Sequence, residues 1–337
     1  MKFNVKTVCV MVLTALMTLI SCGGNDHEPN GKTTPKPDVK PTETVTKYVG
    51  GDISLLPEYE KAGAIFKDKG TAVAPLVLFK KVGWNAMRLR LFVNPDQYKG
   101  ADRDPNACQN LAYILLLAKR IKAAGFRLLL DFHYSDTWAD PAKQWTPAAW
   151  AGLDDSQLAA KLKAYTAEVL TKMKQNGTEP DLIQTGNEIS YGMLWGQNAA
   201  TARYCYPSSP QENWNRFTQL LHAATAACRE ICPKAKIILH TERVSTTQQR
   251  DNINYQALLN FYQQMQLAKV DYDIIGLSYY PYFHGPMDEL NAAISRLETS
   301  FSGKDIMLVE TGYPYKWPVG GSTFDYTAQY PYSLQGQ

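Results

Sequence analysis

At 337 residues, 45% hydrophobic and 20% charged, the chain has an ordinary globular composition with apolar residues enough for one large core. A net charge of +3 is too small to imply electrostatic binding to nucleic acid or to an anionic membrane surface. Aromatic residues are plentiful at 11%, with 7 Trp and 20 Tyr; most are expected in core packing, and any left exposed offer flat faces of the kind that stack on sugars.

In chain order, Lys2 and Lys6 precede an apolar run from Val8 to Ile20 that is too short to span a bilayer and fits a signal peptide over 1–21. Leu19-Ile20-Ser21-Cys22 resembles a bacterial lipobox, which implies that Cys22 is lipidated and becomes the mature amino terminus. The protein is therefore expected at the bacterial cell envelope, as an outer-membrane or cell-surface lipoprotein whose acyl chains are its membrane contact. A plain secretory signal with an incidental Cys is the other reading. Residues 22–47 carry Pro29, Pro35, Pro37 and Pro41 among Thr, Lys and Asp with almost nothing apolar, so they read as an extended tether. The folded domain is expected over 48–337. Its cysteines, Cys108, Cys205, Cys228 and Cys232, have no zinc-like spacing and read as structural; spacing leaves their pairing open.

From Gly51 onward, short apolar runs alternate with longer amphipathic segments. Strands are predicted at Ile53 to Leu56, Ala86 to Val93, Phe126 to His133, Asp181 to Glu188, Lys236 to Glu242, Asp273 to Tyr280 and Asp305 to Glu310. Helices are predicted at Leu111 to Ala124, Asp155 to Asn176, Trp214 to Cys232 and Tyr255 to Ala268. Strict alternation implies an α/β protein with a parallel sheet, here a (β/α)8 TIM barrel. No Gly-rich nucleotide loop follows the first strand, against a Rossmann fold. No eighth strand is legible in Gly320 to Gln337, so the barrel is expected to lack its C-terminal eighth strand and to expose the edges of its first and seventh.

Two of these strands end in carboxylates. The stretch DLIQTGNEISYGMLW brings Asn187 and Glu188 to the carboxyl end of one strand, and DIMLVETGYPY brings Glu310 to the end of another. Barrel enzymes keep their chemistry at that end, and paired carboxylates are what glycoside hydrolysis requires. The other strands bring Arg88, Arg90, Asp131, His133, Asp136, Trp138, His240, Glu242, Ser278, Tyr279, Tyr280 and His284 to the same rim. A lone Glu after a strand is usually a loop charge; two of them facing such a rim are not. Trp138, Trp195, Tyr282 and Trp317 lie just beyond strand ends, where rings could line a groove for a polymer.

The segments GDISLLPEYE, MRLRLFVNP, LLDFHYSDTWADPAKQW, QTGNEISYGMLW, GLSYYPYFHGP and VETGYPY resemble, in order, the landmarks of the family 53 glycoside hydrolases, the endo-β-1,4-galactanases. The resemblance runs from about Tyr48 to the end of the chain. It implies that Glu188 is the acid/base and Glu310 the nucleophile, that Asn187 holds the sugar 2-hydroxyl, and that Arg90 and Tyr279 flank the nucleophile. His133, Asp136, Trp138, His284 and Trp317 complete the expected substrate-binding set. The implied activity is retaining, endo-acting cleavage of β-1,4-galactosidic linkages in galactan and type I arabinogalactan side chains of pectin, by a monomer without cofactor or metal. The alternatives are a clan-related β-mannanase or β-glucanase, or a non-catalytic surface glycan-binding lipoprotein.

Overall fold

The structure is a computed structural model that describes residues 47–101, 103–242 and 252–337. The predicted signal peptide, Cys22 and all but the last residue of the 22–47 tether lie outside the described residues. Seven strands, β1 (Gly50–Asp52), β2 (Ala86–Leu91), β3 (Arg127–Phe132), β4 (Leu182–Thr185), β5 (Lys236–Thr241), β6 (Ile274–Tyr279) and β7 (Asp305–Thr311), form one parallel sheet in chain order. Helices α1 (Leu56–Lys61), α2 (Pro75–Lys81), α3 (Leu111–Ala123), α4 (Asp155–Gln175), α5 (Gln211–Ile231), α6 (Asn252–Leu267) and α7 (Met287–Ser300) lie between them. This is the TIM-barrel arrangement; among the described residues the sheet has seven strands, with β1 and β7 at its edges.

Period-2 alternation separates two cores. Outward side chains such as Leu128 and Leu130 of β3, Ile237 and Leu239 of β5 and Ile275 and Leu277 of β6 share a cluster with Ile114, Leu117 and Ile121 of α3, Leu162 and Val169 of α4, and Phe217 and Leu221 of α5. Inward, Leu129, Leu182, Ile238 and Ile274 form a separate cluster with Tyr48, Met307 and Val309 packed against it. The helices start where short polar side chains precede apolar runs. Asn110 Oδ1 accepts from the Tyr113 N–H at 2.9 Å, and Asp154 and Gln157 form a reciprocal capping box at the head of α4.

The first strand differs from expectation. Ile53 to Leu56 turn instead of extending, with the Leu56 N–H on the Ile53 carbonyl at 2.8 Å, and the strand is Gly50–Asp52 in register with Ala86 to Arg88. A Cβ at Gly50 would lie 1.8 Å from the Ala86 carbonyl oxygen, so this edge is glycine because the chains approach closely. With little apolar side chain it carries no hydrophobic signal. At the other edge β7 is apolar in sequence but only partly buried; Leu308 is 40% exposed. The cysteines of the domain are free thiols, with Cys205, Cys228 and Cys232 buried. No helix among the described residues is long and apolar enough to cross a membrane.

Candidate active site

Strand β4 is completely buried and ends at Thr185, after which Gly186 turns the chain at φ 103°. A Cβ there would come 2.6 Å from the Ile189 side chain, so both the conformation and the space require glycine. Two residues on, Glu188 itself has φ 48°, the left-handed region that costs a non-glycine residue about 1–3 kcal/mol and persists where surroundings enforce it. Those surroundings are visible. Gln144 Nε2 donates to the Asn187 carbonyl at 2.7 Å, Asn187 Nδ2 donates to the Ala139 carbonyl at 2.8 Å, and the Ile189 N–H donates to the His240 carbonyl at 2.8 Å. The loop after β3 and the end of β5 thus clamp the strand tip. Ser278 donates to Glu188 Oε1 at 2.7 Å. Burial, then the charges of Glu310 and Glu242, push the Glu188 carboxyl well above the usual carboxyl range, which favours its protonated form.

Glu310 reaches the same cavity by a different device. Met307 and Val309 pack toward the interior cluster, so strict alternation would turn residue 310 outward. The pairing slips here: Leu277 faces Leu308, but Ser278 faces Glu310. Val309 is the extra residue of a β-bulge, and the bulge returns Glu310 to the interior side beside Ser278. Arg88 Nη2 lies 2.8 Å from Glu310 Oε1, and Tyr280 donates its phenol to Oε2 at 2.9 Å. Burial opposes ionisation of Glu310, but the Arg88 guanidinium prevails and holds the carboxyl below its ordinary value. Arg88 is itself only 5% exposed and also meets Asp52 at 3.0 Å, Asp131 at 2.7 Å and Asn187 Oδ1 at 2.9 Å. Asp131 is fully buried and is held ionised by Arg88 against the burial cost. One cation therefore organises three carboxylates from β1, β3 and β7.

A cavity of about 430 Å³ opens at this end of the sheet and is lined by Glu188, Glu310, Asn187, Arg88, Arg90, His133, Trp138 and Tyr280, among others. A carboxyl pushed above its ordinary range and another held below it face the same space. The chain matches the model of glycosyl hydrolase family 53 over residues 48–337. It belongs to that family. Probable arabinogalactan endo-β-1,4-galactanase A of Neosartorya fischeri is 35% identical over 301 residues, which cover 86% of this chain and 76% of that protein. Among solved structures, a family 53 catalytic domain from Ignisphaera aggregans is 31% identical with a TM-score of 0.71, covering 86% of this chain and 76% of that one. A structure reported among two fungal β-1,4-galactanases is 32% identical, also at TM-score 0.71, covering 86% and 81%.

Within this family 53 domain the expected site residues separate into two groups. Asn187, Arg90, His133 and Trp138 line the cavity, with the Arg90 guanidinium 4.5 Å over the Trp138 ring and the indole N–H on Asp104 at 2.8 Å. The two residues expected to flank Glu310 are corrected. Arg90 lies near Asp52 and Trp138 while Arg88, one inward step deeper, makes the ion pair. Tyr279 points to the opposite face from Ser278 and donates to the Gly285 carbonyl at 2.8 Å, so the phenol on Glu310 belongs to Tyr280. Asp136 is buried and accepts from the N–H groups of Asn94 and Ala148, which makes it a staple between loops. His284 accepts the Tyr280 N–H through Nδ1 and so shapes the helical turn Pro281–His284. Trp317 is 67% exposed with Lys316 over its ring, away from the cavity lining. Trp195 is buried against Trp145 and Tyr204, in the core of the loop and not on a groove wall. Asp52 and Gln184 join the site without a sequence signal, while Ser278, Glu242 and Tyr280 are expected at the rim but carry no assigned role there; alternation of side chains from Ser278 to Tyr280 is the available signal for these two.

Proposed function

We propose that this chain is a retaining endo-β-1,4-galactanase that cuts galactan and the side chains of type I arabinogalactan, with Glu310 as nucleophile and Glu188 as acid/base. The observation that carries the reading is a pair of glutamates lining one cavity in different surroundings, Glu310 at 2.8 Å from the Arg88 guanidinium and Glu188 on the Ser278 hydroxyl, with their carboxyls shifted in opposite directions. In the first step Glu310, ionised by Arg88, attacks the anomeric carbon. The bond to the glycosidic oxygen breaks as that oxygen takes the Glu188 proton, and a glycosyl ester forms on Glu310. Esterification removes the Glu310 charge, one cause of the raised Glu188 pKa, so Glu188 can then take a proton from water. That water attacks the same carbon from the leaving-group side and releases Glu310, which retains the β configuration. Asn187, Arg90, His133 and Trp138 would hold the sugar.

The choice of galactan is supported by the family and by the galactanase names of its relatives; discrimination of an axial 4-hydroxyl depends on contacts finer than strand positions. A β-mannanase or β-glucanase has no such support. The proposal includes export and anchoring through Cys22, supported by the lipobox-like Leu19 to Cys22, and action as a monomer. The test is digestion of pectic galactan, β-mannan and cellulose side by side with the full-length protein, following oligomer release and the first-formed anomer. β-Anomer release from galactan is expected. First-formed α-anomer would overturn double displacement, and binding without reducing-end release would mark a glycan-binding protein. Loss of lipid labelling in Cys22→Ala tests the anchor.

A further inference from the structure

We infer that His240 and Ser278 are positioning residues that dictate which oxygen of Glu188 carries its proton, an inference that rests on Glu188 being the acid/base. His240 Nδ1 lies 3.2 Å from the backbone N–H of Glu188 and 3.0 Å from Gln184 Nε2. The Gln184 amide nitrogen is identified by its 2.7 Å bond to the Asp131 carboxylate. Asn187 Oδ1 also lies 3.2 Å from Nδ1, but that oxygen already accepts from Arg88 Nη2 at 2.9 Å, whereas the Glu188 N–H and the Gln184 amide nitrogen can only donate; Nδ1 therefore accepts and the proton of the neutral ring is assigned to Nε2. Complete burial keeps the ring neutral, with its pKa lowered to about 4. Nε2–H then donates to Ser278 Oγ at 2.8 Å. The hydroxyl has a single hydrogen, and it goes to Glu188 Oε1 at 2.7 Å.

An oxygen that receives that hydrogen is not the one that holds the acid proton. The proton therefore resides on Oε2, which takes no hydrogen bond among the described residues and is left to exchange with the glycosidic oxygen and then with water. The chain His240 to Ser278 to Glu188 also runs in the direction that favours the ionised carboxylate. That matters because the other groups around Glu188 mostly oppose ionisation: Glu310 from β7, Glu242 at the end of β5, and Asp140 in the loop after β3. Lys143 from that loop, Tyr280 just after β6 and Arg88 from β2, paired to Glu310, share the cavity. Without the serine, Glu188 would bind its proton more tightly in both half-reactions.

The test is Ser278→Ala in the full-length protein, with pH profiles of kcat/KM on galactan oligosaccharides and of kcat on an activated aryl β-1,4-galactobioside, where hydrolysis of the glycosyl ester is limiting. Both limbs governed by Glu188, the basic limb of kcat/KM and the acidic limb of kcat, should move to higher pH by about one to two units, the scale of one hydrogen bond to a charged group. Unmoved limbs would overturn the inference, however far the rate falls. Should the alanine variant fail to fold, Ser278→Cys retains a weak donor, and a smaller displacement in the same direction is required of it. Glu188→Ala with added azide separates this inference from its premise. Formation of β-galactosyl azide upholds the acid/base role whatever Ser278 does, and its absence removes that role.

Discussion

The tips of β4 and β7 offer the same side chain to the same cavity and give it opposite properties. On the β7 side Glu310 meets Arg88 and the Tyr280 phenol, two donors that favour a negative charge. On the β4 side Glu188 has one neutral donor, Ser278, and three carboxylates as neighbours, Glu310, Glu242 and Asp140. Burial is similar on both sides, so the difference is not how deep each group lies but which side of the cavity holds the guanidinium. A strand tip with a cation makes a nucleophile, and one without a cation makes an acid.

That contrast can be broken from either end. The largest effect is expected from Glu310→Gln, which removes the nucleophile at constant shape; turnover should fall by at least about four orders of magnitude, measured as reducing ends released from galactan. Arg88→Met should come next, because it erases the asymmetry and leaves Asp131 and Glu310 without their buried counter-charge. Unfolding in denaturant should show a loss of about 3–5 kcal/mol, and the acidic limb of kcat/KM should move to higher pH as the Glu310 pKa rises. Tyr280→Phe takes only one hydrogen bond from Glu310. A fall of about ten- to a hundredfold in kcat/KM is expected with thermal stability nearly kept.

The smallest effect sharpens the other side. The raised pKa of Glu188 means that the unfolded chain loses this proton first as pH rises, so the group weakens folding above its unfolded value near 4.3 and does so fully above its folded value. Glu188→Gln should therefore be more stable than the parent by about 0.5–2 kcal/mol at pH 7, and equal to it near pH 4. Equal melting temperatures at both pH values would mean that this tip carries no strain of charge.

Much of the barrel was legible because β4, β5 and β6 are buried almost throughout and carry short apolar runs that end in polar residues, with long amphipathic helices between them. The first strand was not, since Gly50 and Gly51 pair through backbone alone. Helix α2 carries a weaker sequence signal than the longer helices because none of its side chains is fully buried. In the site, Glu188 and Glu310 were found by their place after apolar strands. The choice between Arg88 and Arg90 was not decidable from alternation, as both point inward; depth decides it, with Arg88 level with Leu129 and Arg90 level with Asp131. Alternation from Ser278 puts Tyr280, and not Tyr279, on the side of Glu310. Asp136 looked like chemistry because a polar residue near a strand end resembles a ligand; only its bonds to two backbone N–H groups show a staple.

The extra residue at Val309 means that the orientation of Glu310 is counted from an irregularity and not from the beginning of its strand. Deleting Val309, or adding a residue beside it, would swing the carboxylate to the helix side while leaving the motif around it spelled almost the same. A relative or a designed barrel can thus carry every familiar letter of this segment and still face its nucleophile the wrong way, and the spacing to the kink is what such a transplant has to preserve.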